Sequence, residues 1–175
     1  MAWANNPIVV YQGTDNLSAN SINISSLNPS SFNAATDFGP GFYVTPVLHQ
    51  AQQWANQKVR RTPGVLNAEV LEYTLSRPMI EALPHITFIT DTDDFHELVD
   101  YCRKGSPNHG PSPRRAPYGV VYGPVSLWPQ KLVIADCEQI LFSDPLTLRD
   151  PDSATAMDFR NPSQRIRPPN NAKFF

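Results

Sequence analysis

Val47, Leu48, Ala51, Trp54 and Ala55 return every three or four residues with glutamine, asparagine and histidine between them. This spacing predicts a helix over residues 47–58 with one apolar and one polar face. Thr45 and Pro46 offer it a start, Thr45 as N-cap and Pro46 at the first helical position, where a missing N–H costs nothing. Phe95, Leu98, Val99 and Cys102 repeat the helical spacing and predict a second helix, capped by Thr92 or Asp93. Elsewhere the period shortens. Ile8–Gln12, Phe42–Thr45, Ala68–Leu75, Tyr118–Tyr122, Leu132–Ala135 and Gln139–Phe142 are rich in β-branched and aromatic residues and read as strands, and residues 78–83 read as a short helical turn. Gly13-Thr14-Asp15 is expected to turn the chain out of its first strand. The Ser/Asn-rich residues 18–36 and the Pro/Gly/basic residues 106–117 read as loops. Few helices in a chain whose second half is dominated by strands predict an α+β fold rather than a wound parallel sheet.

Length and composition limit this fold to one domain. The chain has 175 residues, 41% of them hydrophobic, which is enough for one well-packed core and short for two. From Ser143 onward proline, asparagine, aspartate and arginine accumulate, so the domain is placed at residues 1–148. Residues 149–175 form a C-terminal tail that either wraps the domain or is partly disordered. Lysine and arginine number 14 against 16 acidic residues, a net charge of −2, which calls for neither a nucleic-acid backbone nor an anionic membrane surface. Residues 1–6 lack the basic start and apolar core of a secretory signal, and no apolar run approaches the ~20 residues needed to span a bilayer. A soluble protein of the cytoplasm is expected. Cys102 and Cys137 have neither CxxC nor zinc-site spacing and read as buried free thiols.

Most of the residues that can carry chemistry are accounted for by structure. His49, His85, His96 and His109 lack metal-ligand spacing and are assigned structural roles. Asp91, Asp93 and Asp94 lack the glycine and distal glutamate of a calcium loop, so helix capping is the better use for them. Arg114-Arg115, with Arg103 and Lys104, forms a basic patch that either contacts phosphates or a substrate or is a solvated surface. Ser126 and Ser143 have no His/Asp arrangement that would support a hydrolase.

The remaining signals occur in a fixed order: Tyr11-Gln12-Gly13-Thr14, then Asp37-Phe38-Gly39-Pro40-Gly41-Phe42-Tyr43-Val44-Thr45, then Ala51-x-x-Trp54-Ala55. Tyr118-Gly119-Val120-Val121-Tyr122-Gly123-Pro124-Val125 follows, and Glu138-Gln139-Ile140-Leu141-Phe142 comes last. In this order, over residues 8–148, the chain resembles the ADP-ribosyltransferase superfamily and, within it, the DUF3990-type proteins. The resemblance implies a split β-sheet core with a few flanking helices and NAD in a cleft between its halves. Breaking the nicotinamide–ribose bond develops an oxocarbenium-like cation on the sugar, which a carboxylate at the ribose hydroxyls stabilises more than it stabilises the ground state.

Carried over by position, Gln12, Gly13 and Thr14 would hold the cofactor, Gly13 through its backbone N–H and C=O to the nicotinamide carboxamide. Tyr43 would stack on nicotinamide, Phe42 would point to the opposite face of the strand, and Thr45 would share the face of Tyr43 and line the cleft. Glu138 or Gln139 would organise the ribose; the two point to opposite faces of a regular strand unless a bulge re-aims one. Each has a plainer use as well: Gly13 as a turn residue, Tyr43 as core, Glu138 as a solvated charge. Two departures stand out. Gln12 replaces the histidine or arginine of many relatives, and Gln139 replaces a glutamate if it takes the catalytic position. The resemblance thus implies an NAD-dependent transferase that releases nicotinamide and passes ADP-ribose to a protein, nucleic-acid or small-molecule acceptor, or to water as an NAD glycohydrolase. No metal is implied. The alternatives are a degenerate module that binds NAD, an ADP-ribosylated ligand or a protein partner without catalysis, and an unrelated interaction domain.

Overall fold

The computed structural model describes residues 7–25, 32–33, 35–64, 66–105, 109, 118–143, 148, 157–169 and 172–175. Its elements run β1 (Ile8–Asp15), α1 (Asn16–Ser25), β2 (Gly41–Val44), α2 (Leu48–Arg61), β3 (Ala68–Leu75), α3 (Arg77–Glu81), β4 (His85–Thr87), α4 (Asp93–Arg103), β5 (Val120–Ser126), β6 (Val133–Ser143) and β7 (Gln164–Ile166). The fold is α+β. The strands form two sheets, ordered β1-β3-β7 and β2-β6-β5-β4. The chain divides into two compact units. Unit 1 takes Met1–Leu27, Val44–Pro78 and Asp158–Phe175; unit 2 takes Asn28–Tyr43 and Met79–Met157. Among the described residues, no helix is long and apolar enough to cross a membrane.

In unit 1, β1 pairs with β3 antiparallel from Ile8↔Leu75 to Asp15↔Ala68 without a slip. The strand therefore runs straight through Gly13-Thr14-Asp15, where a turn was expected. Gly13 turns nothing; it makes room. A Cβ there would lie 2.0 Å from Ala51 O and 2.8 Å from Ala55 N, so α2 can rest on β1 only because the strand has no side chain at that point. Ala51 and Ala55 are fully buried on the helix side of this contact, with Leu48 and Val59 packed along the same stripe. The expected start of the helix at Thr45-Pro46 is also corrected. Thr45 exchanges both backbone hydrogen bonds with Tyr11, each 2.8 Å, which holds it extended, and the helix begins only after Val47.

Residues 16–25, which include part of the expected loop, are the helix α1. Its cap is the Asp15 carboxylate, which accepts from Leu17 N (3.0 Å), Ser18 N (2.9 Å) and Ser18 Oγ (2.7 Å). Among its residues with described side chains, Ala19 and Ile22 are buried. The C-terminal residues join the same unit: β7 pairs with β3, and Asn56 holds the Phe174 backbone at both N–H (2.8 Å) and C=O (2.5 Å).

In unit 2, α4 lays Phe95, Leu98, Val99 and Cys102 into a core with Phe38, Phe88, Val121 and Leu141, the stripe its spacing predicts. Of the two expected caps, Thr92 is the one used, its Oγ1 accepting from Phe95 N at 3.4 Å. Residues 132–135 and 139–142, expected as two strands, belong largely to one strand, β6. The interruption read in Asp136-Cys137-Glu138 is a bulge: between Pro124↔Glu138 and Ser126↔Val133, the four residues Ile134 to Cys137 stand opposite Val125 alone. Asp136 takes φ +56° within it, a conformation that aspartate tolerates better than most residues. Cys102 is buried, and burial pushes its thiol up to about 12, whereas Cys137 is half-buried rather than buried.

Candidate functional site

The glycine-rich turn of unit 2 is held by its own side chains. The Tyr43 hydroxyl accepts from Phe38 N (2.9 Å) and lies 2.8 Å from Gly39 O and 2.9 Å from Thr36 Oγ1, so one phenol closes the turn from residue 36 to residue 43. Its ring lies near parallel to Phe38 at 6.5 Å between centroids, and burial holds the hydroxyl proton on well above the ordinary tyrosine range. Phe42, its neighbour on the strand, is buried.

Asp37 anchors the turn from below. One carboxylate oxygen receives Arg103 Nε (2.7 Å), Arg103 Nη2 (2.5 Å) and Ser126 Oγ (2.7 Å); the other receives Ser126 N (2.8 Å) and Gln139 Nε2 (2.7 Å). Sequence reading gave Asp37 no role of its own. Its partners stand 66 to 102 residues away, beyond the reach of any spacing argument.

These contacts fix Gln139. Its amide nitrogen donates to Asp37 and to Pro124 O (3.1 Å), and the side chain is buried. By strand alternation Gln139 shares its face with Leu141 and, across the ladder, with Val121 and Gly123, which is the core face of unit 2. Glu138 lies on the other face, half-buried, beside Tyr122. The Tyr122 hydroxyl proton is held on above its usual range, first by burial and then by the neighbouring Glu138 carboxylate. Glu138, Tyr122, Asp91 and Asp136 line a cavity of about 280 Å³ over the bulge. Strand alternation thus places Glu138 at the cavity and Gln139 in the core.

His109 completes the support of the turn. The Tyr118 N–H donates to Nδ1 (2.7 Å), so Nε2 carries the proton and donates to Phe38 O (2.7 Å). Burial pushes its pKa down. The folded state therefore prefers the neutral ring, while the unfolded chain binds a proton near pH ~6.5. The stability this contributes is fully present above that pH and is lost as pH falls from there through the lowered pKa of the folded state. The unfolding free energy from urea titrations between pH 7.5 and 5 is expected to fall by at most ~1.4 kcal/mol per pH unit for this one proton. His109→Gln is expected to remove that part of the slope and to lower stability at pH 7.5.

The other candidates lie in unit 1. β1 is an edge strand. Because Tyr11 gives its N–H and C=O to Thr45 rather than to β3, alternation points the N–H and C=O of Gly13, two residues on, along that same outer edge. Gln12 is half-buried, and its Oε1 is buried with no hydrogen-bond partner among the described residues. Thr14 is fully buried and accepts from Lys58 Nζ (2.9 Å), which also meets Asp15 (3.0 Å) and Ser18 Oγ (2.9 Å). Thr45 is fully buried, with Oγ1 accepting from Val47 N (3.1 Å).

The remaining residues take structural positions. The His49 ring lies 4.8 Å from that of Phe175, His85 Nδ1 meets Leu83 O at 2.8 Å, and His96 Nε2 stands 3.5 Å from Asp91. Arg103 pairs with Asp37 and Lys104 with Asp100, while Arg114 and Arg115 lie outside the described residues. Ser126 serves Asp37, and Ser143 Oγ donates to Tyr118 O at 2.6 Å. Among the described residues, no group of three or more histidine, cysteine or acidic side chains is placed to hold a metal ion.

No curated protein and no solved structure matches the chain. One family model does, that of the "Protein of unknown function (DUF3990)", over residues 8–127, from the first residue of β1 to just past β5 and short of Glu138 and Gln139. With well over half of its length matched, the chain belongs to the DUF3990 family.

Proposed function

We propose that this protein is an ADP-ribosyltransferase-type enzyme with a split-sheet core that binds NAD, cleaves the nicotinamide–ribose bond and transfers ADP-ribose to an acceptor. The observation that carries the reading is the edge of β1. Gly13 offers an outward N–H and C=O side by side, the donor–acceptor pair that a nicotinamide carboxamide needs, and next to it Gln12 carries a buried acceptor with no donor among the described residues. A ribose hydroxyl is the group that would satisfy Gln12. Two separate sheets with few helices are consistent with a split core.

In the reaction the C1′–N bond breaks, its electron pair goes to the nicotinamide nitrogen, and the acceptor oxygen or nitrogen bonds to C1′ and loses its proton. A carboxylate at the ribose stabilises the cationic sugar on the way. Glu138 is the acid this reading assigns to that role, because its side chain is a carboxyl group and lines a cavity, whereas Gln139 is an amide engaged by Asp37 and Pro124.

A second reading, a non-catalytic module for NAD or an ADP-ribosylated ligand, is favoured by one observation: both Tyr43 and Gln139 are used by the fold itself. One experiment separates the two. Nicotinamide release from NAD and NAD affinity are measured together for the wild type and for Gln12→Ala, Glu138→Gln and Tyr43→Phe. The enzyme reading expects release by the wild type, a loss of about 10² in Glu138→Gln with binding retained, and weaker binding in Gln12→Ala. Tyr43→Phe keeps the ring and is expected to keep the affinity while losing stability. Binding without release by the wild type establishes the module, and a protein that does neither overturns both readings.

A further inference from the structure

Unit 1 contains a second cavity, of about 600 Å³, that none of the residues assigned above lines. It is bounded by α1, the first residues of β3 and the segment after β7, and its size falls within the ~300–1,000 Å³ of ordinary small-ligand sites. On its wall is Glu69, whose side chain is fully buried. Oε1 is ion-paired with Arg165. Oε2 is ion-paired with Arg167 Nε at 3.4 Å but has no hydrogen-bond partner among the described residues. A buried carboxylate oxygen that has an ion-pair partner but accepts no hydrogen bond from the described residues leaves capacity for one donor. Arg167, its ion-pair partner, is 64% exposed at the side chain.

The neighbours define what that donor is. Asn16 Oδ1 accepts from Asn67 N (3.0 Å) and Asn20 Oδ1 accepts from Arg165 Nη2 (2.9 Å). Both carboxamides are thereby oriented, and their nitrogens donate to no described residue. Two guanidinium groups beside one carboxylate disfavour a cation. The carboxylate itself disfavours an anion at that point. What remains is a neutral ligand with O–H groups that both donate and accept, close to an apolar face of the kind that Pro168 presents.

We propose that this cavity binds a neutral sugar ring, one hydroxyl donating to Glu69 Oε2 and adjacent hydroxyls accepting from the amides of Asn16 and Asn20. The proposal is independent of NAD binding at Gln12 and Gly13.

The test uses the full chain, isotopically labelled, titrated with glucose, galactose, mannose and N-acetylglucosamine, with inorganic phosphate and free arginine in parallel. At least one neutral sugar is expected to shift the amide resonances of Asn16, Asn20, Asn67 and Ala172. Asn20→Asp, which keeps the acceptor for Arg165 and removes the donor, is expected to weaken that binding about tenfold, or ~1.4 kcal/mol. Gln12→Ala is expected to leave it unchanged, so that failure here and failure of the NAD reading are separate results. Glu69→Gln is expected to abolish binding if the variant folds; Asn20→Asp decides the matter if it does not. The proposal is overturned if no sugar shifts these resonances, if phosphate or arginine shifts them instead, or if Asn20→Asp binds as the wild type does.

Discussion

Asp37→Ala is expected to lower the stability of unit 2 by about 3 kcal/mol, the lower end of what breaking one partner of a buried ion pair costs. Asp37 is only 3% exposed, receives four hydrogen bonds from Arg103, Ser126 and Gln139, and is ion-paired with Arg103 Nη2. Removing it leaves the Ser126 N–H and the Gln139 amide buried without an acceptor and strands the Arg103 charge. The lower end applies because the Arg103 side chain keeps 31% of its exposure and can turn to water. Asp37→Asn is the informative companion. It keeps the shape but places an amide nitrogen against donors, so it is expected to fall between alanine and the wild type. Urea unfolding followed by the fluorescence of Trp128, whose Nε1 donates to Asp100 at 3.1 Å, measures both variants. Asp37→Ala with the wild-type midpoint would show that the carboxylate is not the anchor of the turn.

Gly13→Ala is expected to cost unit 1 on the order of 3 kcal/mol, the upper part of the usual range for overpacking. Two effects oppose each other here. Alanine in a strand interior gains up to ~1 kcal/mol over glycine by reducing the entropy of the unfolded chain. Against that, the new Cβ would meet Ala51 O at 2.0 Å and Ala55 N at 2.8 Å, and both are helix backbone, which no rotamer change can move. The steric term wins, because α2 must shift bodily off β1. Gly123→Ala is the calibrating variant: its Cβ would meet Phe38 Cζ at 3.0 Å, a side-chain atom that can give slightly, so it is expected to cost less. Thermal unfolding of the two variants by circular dichroism ranks them. Gly13→Ala as stable as the wild type would place α2 farther from β1 than described.

The result also bears on function. If Gly13→Ala destabilises through α2, its loss of NAD binding alone says nothing about the carboxamide contact, and Gln12→Ala is the cleaner probe of that edge. The same lesson applies to Tyr43, whose phenol closes a turn while its ring packs on Phe38. A glycine and an aromatic residue in a motif-like string are each explained by packing before any ligand is invoked, and a ligand role has to be shown by a readout other than stability.

The chain by itself determined the elements whose physics is local. The α4 stripe and its Thr92 cap, the α2 stripe through Ala51 and Ala55, and the eight residues of β3 follow from side-chain period and capping, which act within a few residues. The family followed from motif order, since the model of residues 8–127 spans the strings near Gly13, Tyr43, Trp54 and Tyr122. Tertiary structure alone decided the rest. Gly13 lies within a strand rather than a turn because β3 pairs with it and α2 needs the space. Thr45 is extended rather than helical because Tyr11 takes its backbone, and β6 is one strand because a bulge absorbs Ile134 to Cys137. Asp37 finds Gln139 across 102 residues, and only that contact sends one of two adjacent polar side chains into the core and leaves Glu138 at a cavity. Periodicity and capping are written in neighbouring residues; which donor meets which acceptor depends on chain segments that folding alone brings together.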